Sequence, residues 1–412
     1  MGFTCIFASV TPVIGQDKPF GRDIPSFGED RPAFRQDQAG IEQIKPAFGQ
    51  DKPTGAQMLA VRLEMQKILS QPVFDYRARE QAAPPQVKAR LERLRDELRR
   101  KDARFTVSYT TAGDIPLWLL TGTVIPREPN VAAVVNERAT MLHKIDKESA
   151  AQFKINIETL PAACSPKAAE FDWRKFGKVS PMRAQICGTC WDFAALGAYE
   201  ASYSIRNNAL VDTSEQYVLN CAKAGSCSGG WWMPVFDFLM TKGIASEKDV
   251  PFTGNDQTAC QVNVATPYRA TAWGFVANSQ WEIPSVEAIK QALCDHGPLA
   301  TALFADDAFA LYEKGVFDQH DQNFNTVNHG VLIIGWSNST NAWLIKNSWG
   351  PGWGDTGGYG NSNGYMWIAY NTNNVGIATA WVDATSFKYP LHANWSRSLQ
   401  QYKISSPPLP KQ

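Results

Sequence analysis

Cysteine, histidine and asparagine stand at three positions from which covalent chemistry can be built. Cys187-Gly-Thr-Cys190 leads into a stretch where Phe193, Leu196, Tyr199 and Tyr203 recur at helical spacing, which predicts a helix over 191–205 with Cys190 at its start. The unpaired amides and the dipole at a helix start favour an anion, and the reactive form of a thiol is an anion. His329 lies at the beginning of an apolar run, Val327-Asn-His-Gly-Val-Leu-Ile-Ile-Gly335, read as a buried strand. Asn347 follows a second apolar stretch that begins at Trp343. A thiol, an imidazole to take its proton and an amide to orient that imidazole are the parts of nucleophilic acyl transfer. Each residue also has an ordinary reading: a histidine on a strand as a satisfied core residue, an asparagine as a turn. The Cys187 and Cys190 pair also fits a redox couple or, with Cys221 and Cys227, a zinc site. Against zinc stand the five-residue gap between the second two cysteines and a histidine left idle.

Composition limits what surrounds this constellation. At roughly 150 residues per unit, 412 residues make two or three compact units, or one with long appendages. Forty basic residues against forty acidic leave no net charge, which argues against nucleic acid or an anionic membrane as the principal partner. The chain is globular in character at 44% hydrophobic and 19% charged residues, and it lacks the ~18-residue apolar stretch that a membrane span requires. Residues 15–54 loosely repeat units such as Gly15-Gln-Asp-Lys-Pro-Phe20 and Gly28-Glu-Asp-Arg-Pro-Ala-Phe34, too short to bury a face. We therefore expect a disordered arm over 1–55, with a tether for a protein partner as its functional reading. Its first fifteen residues make a poor secretory signal.

From 56 to 165 the pattern is mostly helical, with apolar stripes over Met58–Leu69 and at Val87, Leu91, Leu94 and Leu98, a strand-like block over 105–124, and a further helix over 131–154. The basic and acidic residues of 88–104 interleave at helical spacing, which predicts a solvated, ion-paired face. Pro161 to Lys167 reads as an exposed linker, and after Phe171 the chain becomes richer in Gly, aromatic residues and Cys. Residues 386–412 are polar and end Ser-Ser-Pro-Pro-Leu-Pro before the last two positions, an extended tail.

From Phe171 to about Val382 the chain resembles the papain-like cysteine peptidases. The residues that carry the resemblance are Asp172-Trp173-Arg174, Gln185, Cys187-Gly188 with Cys190-Trp191, Ser214-Glu215-Gln216, Cys221, Cys227-Ser-Gly229-Gly230, Asn328-His329-Gly330, Lys346-Asn347-Ser348-Trp349-Gly350 and Gly364-Tyr365. Cys190 and His329 are 139 positions apart, a spacing of the papain type. The resemblance implies an α+β fold of two lobes over 166–385: a helical left lobe with Cys190 and a β-barrel-like right lobe with His329 and Asn347. A mostly helical pro-like block, 56–165, precedes it. It implies a monomeric endopeptidase acting on polypeptides through a Cys190 thioester, without cofactor or metal, made as a latent precursor that is cut between about Leu160 and Glu170. The alternatives are a catalytically silent binding module and an acyl transferase that uses the same thioester.

By the same resemblance His329 is the base, Asn347 its orienting partner, Gln185 an oxyanion donor and Trp349 a cover over the His and Asn pair. Gly229, Gly230, Trp231, Trp232, Ala302, Val327, Asn328 and Ala380 line the substrate cleft, and bridges join Cys187 to Cys227 and Cys221 to Cys260. The bridges imply an exported, extracellular or lysosome-like oxidising compartment. Cys5, Cys164 and Cys294 have no assigned partner. The sequence departs from the family in five places: one residue instead of two separates Gln185 from Cys187, Thr189 stands where Ser or Ala is usual, Asp192 replaces a small residue beside the nucleophile and would raise the thiol pKa by its charge, Thr356 to Asn363 form an inserted Gly- and Asn-rich loop, and the family's third bridge lacks both ends, with Val375 at one Cys position and no Cys between Cys294 and His329 for the other.

Overall fold

The computed structural model describes residues 75–127, 129–152, 164–321 and 326–385, and positions 60, 62, 63, 65 and 67. The repeat arm, the tail and most of the helix expected over 56–69 lie outside the described residues.

Asp75 caps α1 (Tyr76–Ala82) by accepting the amides of Arg77 and Ala78. Pro85 then opens α2 (Pro85–Arg100), where a missing amide hydrogen forfeits no helical bond. The apolar stripe expected on α2 is the buried one, with Leu91 and Leu98 inside. Its charges pair as Arg95–Glu92, Arg99–Asp96 and Lys101–Glu97, at helical spacing, and Arg95 also grips Glu80 of α1 through two 2.7 Å bonds.

The strand-like reading of 105–124 holds only for β1 (Phe105–Val107). Thr110 caps a 3-10 turn over Thr111–Asp114, Pro116 leads into one helical turn over Leu117–Leu120, and Thr121 to Val124 runs extended. The helix expected over 131–154 is α3 (Ala132–Gln152).

The catalytic half follows as β2 (Glu170–Asp172), α4 (Cys190–Asn207), α5 (Glu215–Cys221), β3 (Gly225–Ser226), β4 (Gly229–Gly230), α6 (Trp232–Thr241), β5 (Ala270–Phe275), α7 (Val286–His296), β6 (Leu299–Leu303), β7 (Tyr312–Phe317), β8 (His329–Ser337), β9 (Ala342–Lys346), β10 (Tyr365–Ala369) and β11 (Ile377–Ala384). The large sheet runs β1-β7-β10-β9-β8-β6-β11-β5, with β2 also pairing β8. Every residue of β8, β9 and β11 is buried, and apolar residues make up most of each strand. Helix α4 packs on β8 and β11 with Cys190 to Ser204 all buried. Gly197 faces β8 closely: a Cβ there would stand 3.3 Å from the Leu332 side chain. The first residue of the central helix and the first residue of a central strand, Cys190 and His329, are thereby brought to one edge of the interface.

Three disulfides brace this half: Cys187–Cys227, Cys221–Cys260 and Cys164–Cys294. The third joins two of the three cysteines that had no assigned partner and ties the segment ahead of β2 to α7. Cys187 is bonded to Cys227 and Cys221 to Cys260, so Cys187 is not paired with Cys190, and of the four cysteines a zinc site would need only Cys190 keeps a free thiol.

Candidate functional site

Cys190 is a buried free thiol at the first position of α4. The amide of Gly330, the residue after His329, donates toward its sulfur. The His329 ring nitrogen Nε2 lies 2.8 Å from Asn347 Oδ1, which also accepts the Ser348 amide. The other ring nitrogen, Nδ1, is buried and has no hydrogen-bond partner among the described residues. Trp349 covers the imidazole, with ring centroids 4.7 Å apart. The bond to Asn347 thus engages one face of the histidine and leaves the second nitrogen to handle a proton, which is the arrangement a general base needs.

Chain from the front block passes directly over these residues. Thr123 pairs with Gly230 of β4 in parallel: Gly230 donates to the Gly122 carbonyl and accepts the Val124 amide, each at 2.9 Å. The Asn328 carbonyl accepts the amides of both Gly122 and Thr123. Gln185 Nε2 and Trp349 Nε1 converge on the Leu120 carbonyl oxygen at 3.0 Å each, whereas the Cys190 sulfur faces the Thr123 hydroxyl at 3.2 Å. Attack on a peptide requires one carbonyl whose carbon faces the sulfur while its oxygen faces the donors. Here the two requirements fall on residues three apart, so this stretch fills the cleft without presenting a bond to be cut.

The cover also sets the protonation states. Burial pushes the Cys190 thiol up, against the Thr123 hydroxyl and the amides that favour the thiolate. Burial likewise lowers His329 to about 4, opposed by the Asn347 bond. A neutral thiol beside a neutral imidazole is the unreactive form of such a pair.

Gly122 makes the crossing possible, since a Cβ there would come within 2.1 Å of the Gly188 carbonyl oxygen. Gly122→Ala must therefore push the strand away from the thiol. We expect full-length Gly122→Ala to hydrolyse a peptide substrate about 10-fold faster than the unprocessed wild type, as displacement of a close-packed backbone typically costs 1–3 kcal/mol. Equal rates would show that this crossing does not limit access.

The other expected cleft residues are placed as follows. Trp231, Trp232, Ala302 and Ala380 are buried in one apolar cluster, which also takes Ile125 from the front block, and Val327 packs against it half-buried. Asn328 contributes its backbone carbonyl, while its side chain is spent on Ala305. Gly229 would bring a Cβ within 2.8 Å of the Gly122 carbonyl oxygen. Gln185 reaches the cleft despite the shortened loop because its backbone is held by the Ser348 carbonyl and its Oε1 accepts the Ser348 hydroxyl at 2.6 Å. The Asp192 carboxyl is fully buried, and burial, with Glu215 and Glu247 near it, pushes it well above the usual carboxylate range, which works against the charge expected beside the thiol. Sequence reasoning missed the role of Thr121 to Val124. A glycine between threonines in a strand-like run, marking a close backbone approach, was the available signal.

Residues 167–385 match the family described as papain family cysteine protease. The chain is 33% identical over 228 residues to digestive cysteine proteinase 3 of Homarus americanus, an overlap of 53% of this chain and 67% of that one. It is 34% identical over 271 residues to cathepsin L of Sarcophaga peregrina, an overlap of 60% and 76%. Digestive procathepsin L 3 of the Tenebrio molitor larval midgut shares the fold, with a TM-score of 0.54 at 22% identity over 79% of this chain and 98% of that one.

Proposed function

The chain belongs to the papain family of cysteine proteases, with a pro-region ahead of the catalytic domain, and is a hydrolase of polypeptides; from that premise we propose that Cys190, His329, Asn347 and Gln185 carry the reaction and that the pro-region spans residues 56–165. Cys190 gives its proton to His329, and the thiolate attacks the scissile carbonyl carbon. The Gln185 side-chain amide and the Cys190 amide hold the oxyanion, a donor of this kind being worth ~3 kcal/mol. His329 returns the proton to the leaving amine, which departs and leaves a thioester on Cys190. Water, deprotonated by His329, then releases the acid and restores the thiol. The observation that carries this reading is the His329–Asn347 bond beside the free thiol of Cys190. The experiment is hydrolysis of a fluorogenic peptide by the processed enzyme with and without a cysteine-directed epoxide, and turnover that survives the epoxide would sink the assignment. A silent binding module predicts no turnover. A transferase predicts that an added amine captures most of the acyl group in preference to water.

The apolar cluster of Trp231, Trp232, Ala302 and Ala380 supports a preference for an apolar side chain two residues before the scissile bond. The nearest acidic candidates are engaged elsewhere, Asp306 with His320 and Asp307 with Arg90. Burying Leu or Phe there contributes roughly 1.5–3 kcal/mol, whereas a cation would lose water without gaining a carboxylate. Positional scanning is expected to favour Leu, Phe or Val over Arg by at least ~10-fold in kcat/KM, the ratio that 1.4 kcal/mol yields. A preference for Arg or Lys would mean that these residues are not the pocket.

No described helix is long and apolar enough to cross a membrane. Three disulfides, with a cathepsin and a digestive proteinase among the relatives, point to a lysosomal or secreted location. Export to an oxidising compartment, maturation between about Leu160 and Glu170, action as a monomer and a protein partner for the repeat arm complete the proposal.

A further inference from the structure

The inserted loop after Trp353, Thr356 to Asn363, takes no part in the chemistry above, yet the catalytic half holds it in one shape. The loop is pinched at its base, where Asp355 and Tyr365 exchange both backbone bonds. Asp355 further accepts the Gly357 amide at 2.6 Å. Arg174, buried and paired with Asp172, donates from Nη1 to the Thr356 carbonyl at 2.6 Å and from Nη2 to the Gly357 carbonyl at 3.1 Å. Its guanidinium lies 4.2 Å from the centre of the Tyr365 ring. All of these contacts come from residues 172–365.

One side chain from the front block is seated at this loop. Tyr76, the first residue of α1, is 8% exposed. Its hydroxyl donates to the Gly354 carbonyl at 2.8 Å and accepts from Asn363 Nδ2 at 3.4 Å, so the phenol has both a donor and an acceptor at the bottom of a buried site. The seat adjoins the cleft in sequence and in space: Trp353 packs against Trp349, with ring centroids 5.5 Å apart, and the Gly352 carbonyl accepts the Thr111 amide, a second tie to the front block.

We infer that the Gly354–Asn363 loop is a tyrosine-recognition site whose partner is Tyr76 of this chain's own pro-region, and that this contact anchors the pro-region so that Thr121 to Val124 stays over Cys190. The inference rests on the reading of the front block as an inhibitory pro-region. A buried carbonyl deprived of the one side-chain donor that reaches it among the described residues is costly to leave, so removal of the hydroxyl should favour the undocked state by about 5- to 50-fold.

The test uses full-length precursor and its Tyr76→Phe variant, which keeps the ring and its packing. The rate of Cys190 alkylation by a cysteine-directed epoxide is followed by intact mass before any processing occurs. Lys101→Ala, which breaks an exposed ion pair in the same pro-region, serves as the control. Tyr76→Phe is expected to label at least about 5-fold faster than wild type, with Lys101→Ala labelling at the wild-type rate. The processed enzyme obtained from each precursor is the same polypeptide, so any difference belongs to the docked state. If wild type and Tyr76→Phe label equally slowly, the anchor is overturned while latency stands. If Lys101→Ala accelerates labelling as much as Tyr76→Phe does, general loosening of the pro-region explains the effect and the anchor is again overturned. If the wild-type precursor labels as fast as the processed enzyme, the inhibitory reading falls and the anchor with it.

Discussion

Replacing Cys190 by serine should lower kcat/KM of the processed enzyme toward peptide substrates by at least ~10³-fold, and replacing Cys294 should leave it within a few-fold of wild type. Among the described residues Cys190 is the one thiol outside a disulfide, and it alone sits at a helix start against the strand that begins with His329. A hydroxyl in that place is a far weaker acid than a thiol, so His329 cannot hold it as an anion before attack, and groups that act as a unit lose most of their effect when one is removed. Cys294→Ser opens the bridge that ties α7 to Cys164 ahead of β2. Its effect should be on stability, within the roughly 2–5 kcal/mol that loss of a native bridge typically costs. Comparable turnover by wild type and Cys190→Ser would refute the thioester mechanism.

Acid should loosen the covered state. In the closed form burial lowers His329 to about 4. Once that chain lifts, the imidazole returns toward its ordinary value near 6.5. The open form therefore binds the proton more tightly. The closed form keeps its full advantage above about pH 6.5 and loses it progressively down to about pH 4, by up to about 3 kcal/mol. Asp114 of the pro-region, whose carboxyl burial pushes up, works in the opposite sense, because protonation relieves its burial in the closed form. Asp114 is compensated by Arg79 and the Tyr109 hydroxyl, whereas His329 Nδ1 has no such partner among the described residues, so the histidine dominates. In a Cys190→Ala precursor, which cannot process itself, hydrogen exchange of the amides of 122–124 reads the opening directly. After correction for the intrinsic rate, protection should fall by about 30-fold or more between pH 7 and pH 4.5. Protection that stays level or rises on acidification would contradict the assignment.

The parts of this site that could be read from sequence are those in which one residue type has few substitutes. Cys190 and His329 were findable because a helix start and a buried strand each show in the local apolar pattern, and because the order and spacing of Cys, His and Asn match the family that the chain resembles. Other features depend on what is packed against them. Asp192 looks like a favourable charge at a helix start, but the structure places Glu215 and Glu247 near it and excludes water, which pushes its carboxyl well above the usual carboxylate range. Cys164 and Cys294 meet across 130 positions of chain, and no local pattern announces such a pair. The segment 105–124 has the composition of a strand, yet Pro116 and the helical turns at 111–114 and 117–120 divide it. Its last four residues run extended because the cleft supplies the partners that a sheet would otherwise give. Nothing local to Thr356–Asn363 shows that Arg174, far away in sequence, shapes that loop.

The most direct test of the account is to map the epoxide adduct on precursor and processed enzyme under identical brief exposure. The account predicts a single adduct on Cys190 in the processed enzyme, loss of activity in step with its formation, and little or none on the intact precursor, where Thr123 lies against the sulfur. An adduct on another residue, or equal labelling of Cys190 in both forms, would contradict it.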